Sequence, residues 1–535
     1  MITSKGSGFD VILISGEPYV DHPLSGAGVI ARVLDADGLK VGIISRPDWK
    51  KNEDFTRLGK PRLFFGVTAG SIDSMLANYT PLKRSRAEDP HAPYQSGIPD
   101  RAVIVYCNKL RRLFKGAYIV IGGIEASLRR FAHYDYWENR VRRSILLDSR
   151  ADMLVYGPGE IQVREIARRL DEGQDTGGVP GTAIISPVLP AGFKEIPSYE
   201  EVSETGDRFG EAQALFSNRR KLAQKHANRY VLQYPMPDYK PKDLDWIYGL
   251  PYSRDIPADF PEFAMARFSV VTHRGCTGGC SFCSLALHQG DRIVSRSEGS
   301  ILEEIRKLTK HPEFKGYIDD LGGPTANMYG MDCDVSVCRK DCLSCSRLDR
   351  SHARLIRLMR RARRIQGVKK IFVRSGIRYD LAMDSSEYLK ELSAHHLSGL
   401  LKIAPEHVSP AVLRLMNKGN RPLDEFRKMF ANINPSRRQH LRYYFMVAHP
   451  GTTEKEAGEL ARAMRRMEKQ GEKPAEGVQF FTPTPMTRST CMYHTGKDHV
   501  TGKKVYVPRT FAEKKNQRRM ALSARIRKKG EDNDR

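Results

Sequence analysis

Seven of the chain's nine cysteines fall in two short stretches. The first is V-V-T-H-R-G-C-T-G-G-C-S-F-C-S-L over residues 270–285, which spaces Cys276, Cys280 and Cys283 as C-x3-C-x2-C. Glycines at 275, 278 and 279 let the loop curl tightly, because glycine tolerates positive φ. Three thiolates from one loop can hold three irons of a cubane, where iron–sulfur proteins usually supply four. The iron without a thiolate is then open to a small molecule, as catalytic metal sites are. The other readings are a three-cysteine zinc site with a distant fourth ligand, or unligated core cysteines. The second stretch spaces Cys333, Cys338, Cys342 and Cys345 as C-x4-C-x3-C-x2-C. Four thiolates fully ligate either a zinc ion or a second 4Fe-4S cluster. A zinc ribbon shows two well-separated C-x2-C pairs, which this stretch does not. Cys107 and Cys491 stand alone and read as buried apolar residues.

The segments that must position these groups alternate between strand and helix. F-S-V-V-T-H (268–273) is a strand candidate with the first cysteine loop at its carboxyl end. R-I-V-S-R-S (292–297), G-Y-I-D-D-L-G-G (316–323), K-I-F-V-R-S (370–375), L-L-K-I-A-P-E-H (400–407), R-Y-Y-F-M-V-A-H (442–449) and V-Q-F-F-T-P (478–483) follow. Between them, helical periodicity runs over 301–309, 352–366, 387–395, 411–416 and 454–470. Such a series implies a partial or full α/β barrel with its functional groups on loops after strands.

The first part of the chain reads as a separate α/β unit. Strand candidates lie at 10–15, 40–45, 63–68, 118–123 and 152–160, with helices at 26–36, 102–114 and 162–170. This implies a doubly wound parallel sheet that binds ligands at its carboxyl edge, near Gly122-Gly123 and Gly157/Gly159. The expected boundaries are 1–170 for this domain, 171–261 for an extended linker, 262–484 for the barrel and 485–535 for a basic C-terminal extension. Within the linker, 207–233 reads as a basic helical stretch and 183–185 as a short strand. Residues 83–99 read as a long polar loop. R-F-A-H-Y-D-Y-W (130–137) reads as an aromatic packing corner.

The 535 residues carry 88 basic and 63 acidic side chains, a net charge of +25. A field of that sign attracts nucleic acid or other polyanions, although no RNP-type aromatic signature accompanies it. No run of apolar residues is long enough to span a membrane, and the start lacks a signal-peptide pattern. Clustered cysteines without a disulfide pattern fit metal ligation in a reducing cytoplasm.

The cysteine loop, with its glycines and Phe282, resembles the signature of the radical S-adenosylmethionine (radical SAM) superfamily. That resemblance implies a 4Fe-4S cluster on Cys276, Cys280 and Cys283 whose open iron chelates S-adenosylmethionine. One electron then cleaves the sulfonium to a 5′-deoxyadenosyl radical that abstracts hydrogen. D-L-G-G-P-T-A-N-M-Y (320–329) resembles the segment that binds the methionyl amino group, which implicates Gly322, Gly323, Pro324 and Thr325. Arg374 and Ser375 are candidates for the carboxylate or ribose, Glu406 with His407 for ribose hydroxyls, and His449 with Pro450 and Gly451 for adenine. The first domain resembles the cobalamin-binding domain of many relatives. The D-x-H-x-x-G pattern is not met, since Asp21 and His22 are adjacent, so cobalamin is doubtful and His22 is assigned to a substrate or interdomain surface. From S-G-E-P-Y-V-D-H-P through G-G-I-E-A-S-L-R-R-F to D-L-G-G-P-T-A-N-M-Y, the chain resembles the YgiQ family of radical SAM proteins. The family brings an electron donor such as flavodoxin or ferredoxin but no substrate. Methylthiotransferase-like or methyltransferase-like modification of RNA is the narrower expectation, from the N-terminal domain, the second cysteine group and the basic charge. The competing expectation is a nucleic-acid-binding protein with structural or redox-sensing clusters.

Overall fold

A computed structural model describes residues 2–86, 97–258, 260–333, 338, 342–419, 421–435 and 438–522. The first unit is built on one ten-stranded sheet. Its strands are β1 (Ile2–Thr3), β2 (Val11–Ser15), β3 (Val41–Ser45), β4 (Phe64–Thr68) and β5 (Ile119–Ile121). A side hairpin, β6 (His133–Asp135) and β7 (Arg140–Arg142), precedes β8 (Met153–Val155). β1, β2, β3, β4, β5 and β8 run parallel in the order β1-β3-β2-β4-β5-β8. β2 is buried at all five positions and apolar at four of them, as a central strand covered on both faces must be.

The stretch 171–261, expected to run extended, instead adds strands to this sheet. β9 (Thr182–Ser186), β10 (Lys194–Ile196), β11 (Leu222–His226) and β12 (Arg229–Gln233) continue the order as β8-β9-β12-β11-β10. Residues 222–233, read as helix from their basic character, form an antiparallel hairpin. Leu222, Ala223, Val231 and Leu232 are buried, and the lysines and arginines lie at its exposed positions. Only the helix Gly206–Leu215 matches the helical reading of this stretch.

The second unit is an open, parallel partial barrel. Its strands are β13 (Val270–Val271), β16 (Tyr317–Ile318) with β17 (Leu321–Gly322), β18 (Lys370–Ile371), β19 (Leu400–Glu406), β20 (His440–Val447) and β21 (Val478–Phe480). β13 pairs with β17, β16 with β18, and β19 with β20 and β21. A bridge between Ile377 and Ile403 joins the two halves. The 292–297 segment is not a barrel strand. β14 (His273–Arg274) and β15 (Val294–Ser295) form an antiparallel pair that braces the cysteine loop. The helices Glu298–Leu308, Ala353–Ala362, Leu423–Ile433 and Glu454–Lys469 pack outside the barrel over one apolar core. The helix Leu423–Ile433, absent from the sequence reading, buries Phe426 and Phe430 there.

The described residues of the C-terminal extension do not hang free. The helix Phe511–Leu522 packs against Glu454–Lys469 and buries Lys514 and Gln517. Arg525, Arg527, Lys528 and Lys529 lie outside the described residues, as do ten residues of the polar loop at 83–99. Among the described residues no helix is long and apolar enough to cross a membrane.

Candidate active site

The cysteine loop leaves the barrel after β14 and is pinned from several directions. Cys276 N–H donates to Gly290 O (3.1 Å), and Ser281 N–H to Met416 O (2.8 Å). Asn417 Nδ2 donates to Gly279 O (2.8 Å). Ser489 N–H, at the start of the helix Arg488–Thr495, donates to Ser281 O (2.9 Å). Gly275 has φ +81°, and a Cβ there would collide with the carbonyl of Arg292, so only glycine closes this turn.

The three thiols are half-buried and in no disulfide. Cys276 Sγ lies 3.6 Å from Thr325 Oγ1 and 3.9 Å from Met328 Sδ. Arg378 Nη1 donates to Cys280 Sγ (3.5 Å), while its other nitrogens hold Asp380 at 3.1 and 2.6 Å. Burial, with the adjacent Cys280 and Cys276, pushes the Cys283 thiol up to about 12. Burial works against the Arg378 charge, but Asp380, Cys280 and Cys276 outweigh it and hold the guanidinium protonated. Among the described residues no three His, Cys, Asp or Glu side chains gather closely enough to hold a single metal ion. A mononuclear tetrahedral site with bonds near 2.3 Å needs its thiolates about 3.8 Å apart. A cubane takes each thiolate on its own iron and asks for wider spacing. The donor set, three thiols with the Arg378 cation beside them to offset thiolate charge, has the chemistry a cubane requires.

The glycine segment lies directly against this loop. Thr272 N–H donates to Gly322 O (2.8 Å), which also accepts from Thr272 Oγ1 (3.1 Å). A Cβ on Gly323 would stand 2.5 Å from the His273 ring, and one on Gly322 would stand 2.8 Å from Ser375 Oγ. Pro324 and Thr325 carry the backbone on to Cys276. The Ser375 hydroxyl donates to the Asp320 carboxylate, which also accepts from Arg374 N–H (2.7 Å) and Ser375 N–H (3.1 Å). The Arg374 side chain instead stays exposed, 3.8 Å from Asp319 and over the Phe372 ring. Glu406 ends β19 at a register shift with φ +66°, an uncommon conformation that non-glycine residues keep chiefly at functional sites. Burial pushes its carboxyl up, opposed by Lys418 at 3.7 Å. Ala448 has φ +62° at the corresponding end of β20. His449 is fully buried, with Nδ1 against Pro450 O (2.7 Å) and Nε2 against Ser489 Oγ (2.6 Å). Its imidazole edge meets Phe282 and Phe481. His407 is buried, and its Nδ1 accepts from Ser409 N–H (3.0 Å).

The second cysteine group sits beside the first. Cys333 and Cys338 are exposed, while Cys342 and Cys345 are half-buried. Leu343 and Leu348 pack on the same small apolar cluster, around Met328 and Met331, that Cys276 borders.

A cavity of about 480 Å³ separates the two units. One wall is the carboxyl edge of the first sheet, with Gly70, Gly122, Gly123, Gly157 and Gly159. The other carries His273, Arg274, Asp320, the Gly322–Pro324 segment and Ser375. Doubly wound sheets bind ligands at that edge. Gly123 has φ +81° and presses on the Thr68 hydroxyl, which excludes a side chain. Arg274 pairs with Glu160 across the boundary (2.6 Å), and His288 Nδ1 meets Ser127 Oγ (3.0 Å). His22 belongs to the joint beside the cavity. Its Nε2 lies 2.9 Å from Arg267 O and 3.1 Å from Arg254 Nη1, and its Nδ1 accepts from Leu24 N–H. Burial, aided by Arg254, pushes its pKa down to about 3. Arg254 in turn grips Glu304, which also pairs with Arg296.

Sequence reasoning stopped at Ser375 and so missed Arg378, Asp380 and Asn327. The run R-S-G-I-R-Y-D at 374–380 holds two arginines. The inner one reaches the cysteines because Asn327 Oδ1 accepts its N–H (2.9 Å).

Residues 1–270 match the family described as Radical SAM N-terminal, and residues 270–464 match the Radical SAM superfamily. The class is therefore a radical SAM enzyme, for which S-adenosylmethionine is a substrate. The UPF0313 protein MJ1155 of Methanocaldococcus jannaschii is 45% identical over 96% of this chain and 89% of its own. A UPF0313 protein of Clostridium botulinum is 45% identical over 95% and 83%. The chain belongs to this UPF0313 family of radical SAM proteins. Among solved structures it is similar to the radical S-adenosylmethionine methyltransferase TsrM of Kitasatospora setae, solved with cobalamin and a [4Fe-4S] cluster. The TM-score is 0.53 at 17% identity, covering 90% of this chain and 78% of that one. It is also similar to the cobalamin-dependent S-adenosylmethionine radical enzyme OxsB, with TM-score 0.52 at 12% identity over 95% and 65%. These identities establish the shared fold, an N-terminal α/β domain followed by a radical SAM domain. The expectation against cobalamin draws no support from these neighbours, both of which bind it.

Proposed function

We propose that Cys276, Cys280 and Cys283 hold a 4Fe-4S cluster and that S-adenosylmethionine binds its open iron along the Gly322–Thr325 segment. The observation that carries this reading is the meeting of the two motifs, with Thr325 Oγ1 3.6 Å from Cys276 Sγ. When bound and reduced, the cluster supplies one electron that breaks the carbon–sulfur bond of S-adenosylmethionine to methionine and a 5′-deoxyadenosyl radical. The chain's own residues do the rest. Arg378 offsets the charge of the thiolates, the bare backbone at Gly322 and Gly323 lets the methionyl end approach, and Asp320 fixes Ser375 beside it. Glu406, held in its strained conformation, offers a carboxyl to the ribose hydroxyls. The His449 ring is engaged on both nitrogens, so it supports Phe282 and the loop rather than donating to a ligand. Arg374 contributes its backbone N–H to Asp320, while its exposed guanidinium stays near Asp319.

The interdomain cavity is the reaction chamber in this reading, reached from the cluster past Gly323. His22 is committed to the joint with Arg254 and Arg267, so a corrinoid of the kind bound by the solved neighbours is held here without it. Cys333, Cys338, Cys342 and Cys345 supply a second metal site beside the first. A one-electron donor of the flavodoxin or ferredoxin type reduces the cluster. RNA is the substrate class that the net charge of +25 favours.

Iron and zinc counts test the two cysteine groups separately. The wild type is expected to bind four irons more than the Cys276→Ala/Cys280→Ala/Cys283→Ala variant. The metal remaining in that variant identifies the second site. S-adenosylmethionine is expected to change the electron paramagnetic resonance spectrum of the reduced wild-type cluster. An unchanged spectrum, with equal iron in both proteins, contradicts the assignment. Titration with hydroxocobalamin, followed by its visible spectrum in wild type and in Gly123→Val, tests the chamber.

A further inference from the structure

The barrel interior holds cations that no acid of the described residues neutralises. Along β19 and β20, Leu401, Ile403, Tyr443, Phe445 and Val447 are buried in the core beneath the outer helices. Side chains alternate along a strand, so Lys402 and Arg442 face the opposite way, into the barrel. The two are register partners on adjacent parallel strands, which run about 4.8 Å apart. The interior acids are already engaged. Asp319 lies 3.8 Å from Arg374, Glu406 lies 3.7 Å from Lys418, and Asp320 holds Ser375. Among the described residues neither Lys402 nor Arg442 has an ion pair, and Arg442 Nε is buried without a hydrogen-bond partner. A buried guanidinium nitrogen left unbonded is costly. An arginine fork beside a lysine is the arrangement that recognises a phosphate or carboxylate.

The position relates this pair to the radical chemistry. Met446 lies on the same face of β20 and packs, with Phe282 of the cysteine loop, against one apolar cluster. Arg442 is four residues earlier on the strand, about 13 Å of rise away. A group bound at Lys402 and Arg442 therefore lies about that far below the loop along the strand. We infer that Lys402 and Arg442 form an oxyanion subsite that anchors a phosphate or carboxylate group of the substrate. This deepens the proposed function by naming the chemistry of the substrate's far end, and it rests on that reading for its role.

The test uses the full-length protein and needs neither reductant nor S-adenosylmethionine. Binding of inorganic pyrophosphate and of citrate is measured by isothermal titration at fixed ionic strength, in wild type, Arg442→Met, Lys402→Met and Arg357→Met. Arg357 is an exposed helix residue paired with Glu298 and serves as the surface control. Saturable wild-type binding is expected, weakened about tenfold or more in each interior variant and unchanged in Arg357→Met. Preference for pyrophosphate over citrate identifies the group as phosphate, and the reverse as carboxylate. Absence of saturable binding to the wild type, or equal binding in all four proteins, overturns the inference. Should Arg442→Met not fold, Lys402→Met on the neighbouring strand decides alone. The Cys276→Ala/Cys280→Ala/Cys283→Ala variant is expected to bind as the wild type does, so failure of the cluster assignment and failure of this subsite are separately visible.

Discussion

Replacing Gly323 by alanine tests how closely the glycine segment is fitted to the cysteine loop. The new Cβ lands 2.5, 2.8 and 2.9 Å from three atoms of the His273 ring. The ring cannot swing aside freely. His273 is wholly buried, and its Nδ1 is bonded to Thr272 Oγ1 (2.9 Å), which is bonded to Gly322 O. Overpacking of this kind costs about 1–3 kcal/mol. If the Thr272 bond breaks instead, about 1 kcal/mol is lost. Restoring ordinary contact moves the segment by roughly 1 Å, a displacement worth about 100-fold in rate when it misplaces a reacting group. Urea unfolding is expected to show the stability loss, and anaerobic single-turnover formation of 5′-deoxyadenosine the rate loss. Adding His273→Ala removes the clash and is expected to return part of the stability. Gly299→Ala is the control, since its nearest neighbour is 4.0 Å away at the start of an outer helix. A Gly323→Ala protein with wild-type stability and rate would refute the packing argument.

Other consequences follow from the same contacts. Arg254→Met removes one of the two arginines paired with Glu304 and breaks the joint beside the cavity, so stability is expected to fall by about 1.5–3 kcal/mol, readable by urea unfolding. His22 is neutral in the folded chain, with its pKa pushed down to about 3 from 6.5. The unfolded chain therefore binds the extra proton first. The His22 contribution is complete above pH 6.5 and declines as pH falls toward 3, reaching a loss of about 2 kcal/mol by pH 5. His22→Asn should flatten the stability profile over that window, and an unchanged slope would count against the buried neutral imidazole. Arg378→Met removes the cation beside Cys280 and is expected to lower iron retained after reconstitution, with Arg378→Lys intermediate. Iron content equal to wild type in both would remove Arg378 from the site.

The parts of this molecule legible in the sequence are those where local chemistry and tertiary packing agree. β2 is apolar at four of five positions and central, and the helix Gly26–Ala36 begins and ends at the expected residues. The cysteine loop announces itself because its ligands are close in sequence. Residues 222–233 misled because their exposed lysines and arginines resemble a basic helix. Their pairing is set by a hairpin partner eleven or fewer positions away. The 292–297 segment has strand composition, yet its partner is the neck of the cysteine loop rather than the barrel. Arg378 could not be singled out among many arginines, since its role depends on Asn327, 51 residues earlier. The same holds for Lys402 and Arg442, which become a pair only through the β19–β20 register.

The central claim is that the chain uses the open iron of a three-cysteine cluster to cleave S-adenosylmethionine. Its most direct test is anaerobic reconstitution, reduction with dithionite and quantification of 5′-deoxyadenosine in wild type and in Cys280→Ala. The account predicts 5′-deoxyadenosine from the wild type well above the Cys280→Ala level, dependent on reductant. Equal, background amounts from both proteins, with the wild-type cluster shown to be assembled, would contradict it.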